Sequence, residues 1–303
     1  MKTNTAAATA DWWLKILQFY ELTKPRVVLL IVFTAVVGMF LASSTMVPLD
    51  TLIFGTLGIG MSAAAGAAIN HIVDRHIDSK MKRTRRRPLA SGDLGMEQAL
   101  IFAVALAAVS MFILVRWVND LTAVLTFASL IGYALVYTVF LKHWTPQNIV
   151  IGGAAGAAPP LLGWTAVTGH VSPDALLLFL IIFCWTPPHF WSLALYRRND
   201  YANAGVPMLP VTHGAAFTRL HILLYTVLLA AVSIMPFATH MAGWLYLAGA
   251  LFLNARFIVY AARLYSRYSD MLSRRMFVYS IQYLAMLFGI MLIDHYLVLF
   301  VNG

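Results

Sequence analysis

"TLIFGTLGIGMSAAAGAAINHIVDRHIDSKMKRTRRRPLASG", residues 51–92, decides how the chain is read. Its first twenty residues carry no charge; then Asn70, His71, Asp74, His76 and Asp78 arrive with seven Lys or Arg in quick succession. About 20 apolar residues at 1.5 Å each match the hydrocarbon core of a bilayer, so the first part predicts a spanning helix. The second part predicts a polar end where that helix leaves the lipid.

Eight more runs of the same kind follow or precede it, giving nine in all at about 27–43, 51–70, 98–116, 121–141, 147–168, 174–196, 219–239, 243–262 and 276–295. The chain is 61% hydrophobic and 11% charged, against roughly 25% charged in a soluble domain. No alternation of period two suggests a barrel, and helices satisfy every backbone polar group within the segment. The expected class is all-α: a polytopic membrane protein of nine helices around a central cavity. Residues 1–26 form an N-terminal interfacial segment and 27–303 the intramembrane domain. Within the former, "DWWLKILQFYEL" (11–22) mixes aromatics with charge as an interfacial helix does, and 1–10 reads as an unstructured tail.

The net charge of +9 is placed as a topology signal rather than a nucleic-acid surface. With the N-terminus in the cytoplasm, 20 of the 21 basic residues fall on the inner side, Arg256 among them in the adjoining helix half, and only Arg116 at an outer end. The expected location is a bacterial cytoplasmic (inner) membrane, with the C-terminus periplasmic and no cleaved signal. The single cysteine, Cys184, excludes an intrachain disulfide.

The outer loops ("SSTMVPLD", "WVND", "TGHVSPD", "THMAG") are short and chemically plain. Two inner loops are not. Helix 2 ends in the cluster above and "RRRPLASG", helix 6 in "YRRNDYANAGVPMLPVTHG". Each runs from an acidic helix end through proline to glycine, and the two lie four helices apart. The spacing suggests a repeated four-helix unit with helix 9 added.

Asn70, Asp74 and Asp78 are spaced i, i+4, i+8, which keeps them within about 80° of arc on one helix face. Oxygen ligands in that pattern suit magnesium, which takes few carboxylates and keeps waters and phosphate oxygens. A solvated helix end is the plainer reading, but carboxylates near hydrocarbon are costly and a second acidic cluster occupies the matching loop. There Tyr196 and Asp200 share a face if the helix continues, beside Asn199 and Asn203; Asp200 as an ordinary loop carboxylate stays open. A metal-bound diphosphate needs donors for its remaining oxygens, and "KMKRTRRRPL" supplies Arg forks and Lys charges beside the stripe. Retention of topology accounts for part of that cluster.

These residues carry a resemblance. N-x-x-x-D-x-x-x-D followed by "RTRRRP", with "TKPRV" (23–27) and "YTVFLK" (137–142), is similar to the UbiA-type intramembrane prenyltransferases. Within them, "LKHWTPQNIVIGGAAGAAPPLLGW" (141–164) and "WTPPHFWSLALYRRNDYANAGVPMLP" (185–210) resemble the heme-farnesylating branch. The resemblance implies transfer of farnesyl from farnesyl diphosphate to a vinyl group of heme B, with water added, giving heme O, and Mg2+ as cofactor. It implies Asn70, Asp74, Asp78 and Asp200 on the metal, and Arg83, Arg87, Lys142 and Tyr196 with Asn70 on the diphosphate. Asp74, Asp78, Asp200 and Lys142 would serve the ionisation step. Heme A synthase or terminal-oxidase assembly are the partners it suggests. One departure matters: many relatives carry a second Asp four residues after the first, where this chain has Ala204, which weakens the case for two metals.

His189, in "TPPHFW", is the candidate heme contact, since an intramembrane His is a functional-site candidate and imidazole a common axial ligand. Satisfaction by a carbonyl freed at Pro187 or Pro188 is the competing explanation. His71 and His76 flank the stripe, as phosphate contacts or as solvated helix-end residues. "GGAAGAAPPLLG" permits close backbone approach, to a flat ligand or to a packed helix.

Two other classes compete. A transporter would share helix count, repeat and Gly/Pro-broken helices, but here acids and cations gather at one face rather than at midplane. A heme-binding electron carrier would want paired intramembrane His, and only His189 qualifies. A quinone precursor or other aromatic acceptor is the alternative within the family.

Overall fold

The computed structural model describes residues 3–302, so that Met1, Gly303 and the inner-face cation Lys2 lie outside it. All regular secondary structure among those residues is helical. Helix α1 (Thr3–Leu22) turns through 51° into α2 (Pro25–Leu41), with Lys24 in the left-handed region (φ 49°) at the bend. Contrary to the tail expected at 1–10, α1 begins at Thr3; "TNTAAATA" is rich in alanine, the best helix former.

The remaining elements run α3 (Leu49–Lys80), α4 (Pro88–Ser91), α5 (Met96–Trp117) and α6 (Asp120–Ile131), which passes into a π-helical stretch (Gly132–Leu141) and α7 (Lys142–Trp144). Then come α8 (Asn148–Ala157), α9 (Pro159–Thr168), α10 (Pro173–Tyr196), α11 (Arg198–Asn203), α12 (Leu209–Thr212), α13 (Gly214–Ala238), α14 (Trp244–Ser266) and α15 (Asp270–Asn302). Among the described residues eight helices are long and apolar enough to cross a bilayer alone, and the bent α1–α2 pair raises the number to nine. All nine expected runs are therefore helices. Large apolar side chains such as Leu29, Val104, Phe112 and Phe252 are exposed on the outside of the bundle, as lipid, not water, requires.

Close approach between helices rests on small residues. A Cβ on Gly38 of α2 would sit 2.2 Å from the Pro160 carbonyl oxygen, and one on Gly163 of α9 1.9 Å from that of Ala35. These two glycines let α2 and α9 touch backbone to backbone, so the glycine-rich fifth span serves packing at that point. α10 lies centrally, against α8, α9, α13 and α15, and α3 packs on α5.

The two long loops share a build that fits a repeated unit. After α3 the chain reaches α4, led by Pro88 and ended by Gly92 at φ 86°. After α10 it reaches α12, with Pro210 at its start and Gly214 at φ 81° beyond its end.

A buried carboxylate holds the opposite end. Asp294 of α15 is 2% exposed. It accepts from the backbone N–H of Gly243 through one oxygen and from that of Tyr246, at 3.0 Å, through the other. It thus satisfies orphan donors of the first turn of α14.

Candidate active site

α3 is 32 residues long and carries the stripe past the apolar run as unbroken helix. Asn70, Asp74 and Asp78 are all buried, at 5%, 3% and 5% exposure, so the solvated-helix-end reading is excluded for them. Asn70 Nδ2 donates to Asp74 Oδ2 at 2.9 Å. The ammonium of Lys142, delivered where the π-helical stretch ends, donates to the same oxygen at 2.5 Å. Arg87 Nη1 donates to Asp78 Oδ2 at 2.7 Å, while the Thr84 hydroxyl holds the Asp78 carbonyl at 3.0 Å and ties the basic loop to the helix end.

Lys24 is the residue that sequence reasoning missed as a site member. From the bend between α1 and α2 its Nζ donates to Asn70 Oδ1. The signal was there, in a Lys directly before a helix-starting Pro, but its left-handed backbone and its inward aim are tertiary facts.

Among the described residues, Asp74 Oδ1 is the one carboxylate oxygen among the buried side-chain polar atoms without a hydrogen-bond partner, a costly state for a charged group. Beside it His71 is 2% exposed with both ring nitrogens unpartnered, while His76 is exposed as expected. A hard cation satisfies such an oxygen, and the donor set on α3 is all oxygen. No group of three His, Cys, Asp or Glu forms among the described residues, so Asp200 does not close with Asp74 and Asp78 into one cluster.

The second cluster is looser. α10 ends at Tyr196, Arg197 breaks the helix at φ −109°, ψ 16°, and α11 restarts at Arg198. Tyr196 and Asp200 therefore lie on either side of a break and do not share a continuous helix face. Asp200 is half-buried and accepts from Arg197 Nη1 at 3.3 Å; the same guanidinium lies 5.3 Å from the Tyr196 ring centre. Arg83 is exposed, without a hydrogen bond to the acidic stripe, yet it and Arg87 act on Tyr201 of α11, whose phenol burial pushes up.

His189 sits inside α10, which runs unbroken through Pro187 and Pro188. Its ring stacks between Trp185 (4.2 Å between centres) and Phe277 (4.7 Å). Its partner is not a freed carbonyl: Nδ1 lies 2.6 Å from the Ser280 hydroxyl. The Ser280 hydroxyl also lies 2.7 Å from the Phe277 carbonyl; with its proton given to that carbonyl it accepts from Nδ1, the tautomer in which Nε2 holds the lone pair.

Comparison with known proteins places this arrangement. The model of the UbiA prenyltransferase family matches residues 31–288. The chain is similar to the protoheme IX farnesyltransferase of Nitrosospira multiformis, 59% identical over 283 residues covering 93% of this chain and 95% of that one. It is similar to that of Thiobacillus denitrificans at 61% over 279 residues, 92% and 94% of the two chains. Among solved structures it resembles a digeranylgeranylglyceryl phosphate synthase with a TM-score of 0.78 at 18% identity, covering 93% of this chain and 98% of that one. It also resembles a UbiA homolog from Archaeoglobus fulgidus bound to DMAPP and Mg2+, with a TM-score of 0.66 at 16% identity over 90% and 99%. These structural likenesses carry the fold.

Proposed function

The chain belongs to the UbiA prenyltransferase family, and from that premise we propose that it transfers a farnesyl group from farnesyl diphosphate to a vinyl group of heme B, giving heme O. The names of its relatives support the acceptor. The observation that carries the donor half is the buried, unpartnered oxygen of Asp74, set in oxygen ligands and ringed by Lys24, Lys142 and Arg87.

Asn70, Asp74 and Asp78 would hold magnesium, and Asp200 would approach from the second loop. Magnesium, when bound, supplies positive charge that stabilises the departing diphosphate. Lys24, Lys142 and Arg87 are already fixed on the acidic stripe, so their charges need no reorganisation when negative charge develops on the leaving oxygens. Arg83, exposed at the loop, and Tyr196 would meet the outer phosphate. The C1–O bond of the farnesyl group breaks with its electron pair going to diphosphate. The vinyl π pair then forms the new C–C bond to C1. Water adds to the carbon left cationic beside the porphyrin and gives up a proton. The packed apolar helices keep water from the allylic cation before the vinyl group reaches it.

For the heme we assign His189 Nε2 as an iron contact, with Ser280 holding the tautomer in which that nitrogen is free. The placement of the basic residues supports a cytoplasmic membrane with this site on the inner face.

The test is mass spectrometry of purified protein incubated with heme B, farnesyl diphosphate and Mg2+, beside a chelator control. A metal-dependent product heavier than heme B by the elements of farnesol is expected. Heme retained on the protein with no diphosphate released would overturn the assignment.

A further inference from the structure

α14 and α15 are antiparallel neighbours, and the groove on their outer side is lined with arginine. A cavity of about 610 Å³ is bounded by Tyr260, Met271, Arg274, Arg275, Val278 and Gln282. A second, of about 360 Å³, continues past Phe252, Arg256, Val259 and Arg263 and shares Tyr260 with the first. Neither belongs to the acidic site.

Arg274, Arg275 and Arg263 lie near helix ends, where the rule for inner-face cations accounts for them. Arg256 does not fit that account. It is ten residues before the end of α14, about 15 Å along the axis, and it is exposed on the outer surface of the bundle. Its flank is apolar: Phe252 is 68% exposed and Val259 46%. The guanidinium lies 4.8 Å from the centre of the Tyr279 ring and 6.0 Å from that of Tyr260. Among the described residues none of the four arginines has an ion-pair partner. The nearest carboxylate in sequence at the groove mouth, Asp270, accepts from the Tyr268 hydroxyl at 2.5 Å.

A guanidinium at hydrocarbon depth is costly unless it is paired or reaches a polar layer. The groove offers arginines from headgroup height down to Arg256, with the exposed Val259 and Val278 between them and Phe252 beyond. We propose that this groove binds an anionic phospholipid, its phosphate drawn down among Arg256, Arg274 and Arg275 and its chains lying along Phe252, Val259 and Val278. Charge complementarity selects the anionic over the zwitterionic headgroup, because four unpaired arginines leave the groove strongly positive.

Native mass spectrometry of the full chain, with phosphatidylglycerol and phosphatidylcholine of the same acyl length at equal concentration, tests this. Wild type is expected to retain phosphatidylglycerol in clear excess. R256Q and R274Q should each lower that excess about fivefold, the effect of one basic side chain on an anionic lipid, and R256Q/R274Q/R275Q should abolish it. R116Q, at the other end, should leave it unchanged. If the triple variant is not monodisperse, the two single variants decide. Equal retention of both lipids by wild type, or an undiminished preference in R256Q and R274Q, overturns the proposal. So does displacement of the bound phosphatidylglycerol by heme B, which would assign the groove to a ligand carrying propionates.

Discussion

Asp74 and Asp294 are the same residue type in the same kind of place, 3% and 2% exposed on long membrane helices. Their surroundings differ in what the carboxylate has to bond. Asp294 meets two backbone N–H groups of the α14 first turn, one for each oxygen. Asp74 meets an amide and an ammonium on one oxygen and nothing on the other. A satisfied buried carboxylate is a structural part, worth a helix cap. An unsatisfied one is held at a cost that the fold does not recover. Cost without structural return is the mark of a site kept for a ligand.

The largest effect expected from this contrast is at Asp74. Asp74→Asn keeps the size and one oxygen for Asn70 and Lys142, sets an NH2 where the unpartnered oxygen stood, and removes the charge. Turnover should fall by about 10³-fold, at the upper end of what one preorganised electrostatic group supplies, while the melting temperature stays within about 2 °C of wild type, as for a change without a structural penalty. A mutant that keeps its activity would remove the functional meaning of the free oxygen. Lys142→Gln comes next. It leaves a hydrogen-bond donor but no charge near the leaving group, for a loss of about 10²-fold. That loss should persist at saturating farnesyl diphosphate, because it acts on the developing charge and not on ground-state binding alone.

How far the sequence could foresee these two carboxylates is instructive. Nine spans, their order and the stripe on α3 follow from apolar runs and from i, i+4, i+8 spacing, since helix periodicity is local. Asp74 was legible because Asn70 and Asp78 repeat it on one face. Asp294 drew no notice: it stands alone in its run, and its partners, Gly243 and Tyr246, lie about 50 positions away as bare backbone. Lys24 was hidden for a similar reason, because the αL turn that aims it at Asn70 depends on how α1 folds back. The break at Arg197 and the π-helical turn before Lys142 also escaped, as neither leaves a period in the sequence. The Ser280 hydroxyl facing His189 is another long-range pairing, across 91 positions.

That hydroxyl gives the third test. Ser280→Ala removes the hydroxyl that lies 2.6 Å from Nδ1 of His189 and frees the ring to change tautomer or turn. If Nε2 contacts heme iron, loss of such a support should weaken heme binding by about tenfold, shift the Soret band, and leave the KM for farnesyl diphosphate unchanged. An unaltered spectrum with unchanged heme affinity would return His189 to the role of a packed aromatic between Trp185 and Phe277.

The smallest effect on turnover belongs to the other arm of the contrast. Asp294→Asn keeps one carbonyl oxygen for Tyr246 or Gly243 but turns an NH2 toward the remaining backbone N–H, donor against donor. The first turn of α14 loses a cap and its favourable charge, for about 1–2 kcal/mol of stability. Below the lowered melting point the variant should turn over as wild type does, because Asp294 lies at the end of the bundle opposite Asp74. Thermal melts followed by assay at a temperature where both proteins are folded separate the two quantities. Lost activity with an unchanged melt would mean that both buried carboxylates serve the reaction, and satisfaction by hydrogen bonds would then no longer distinguish structure from function in this bundle.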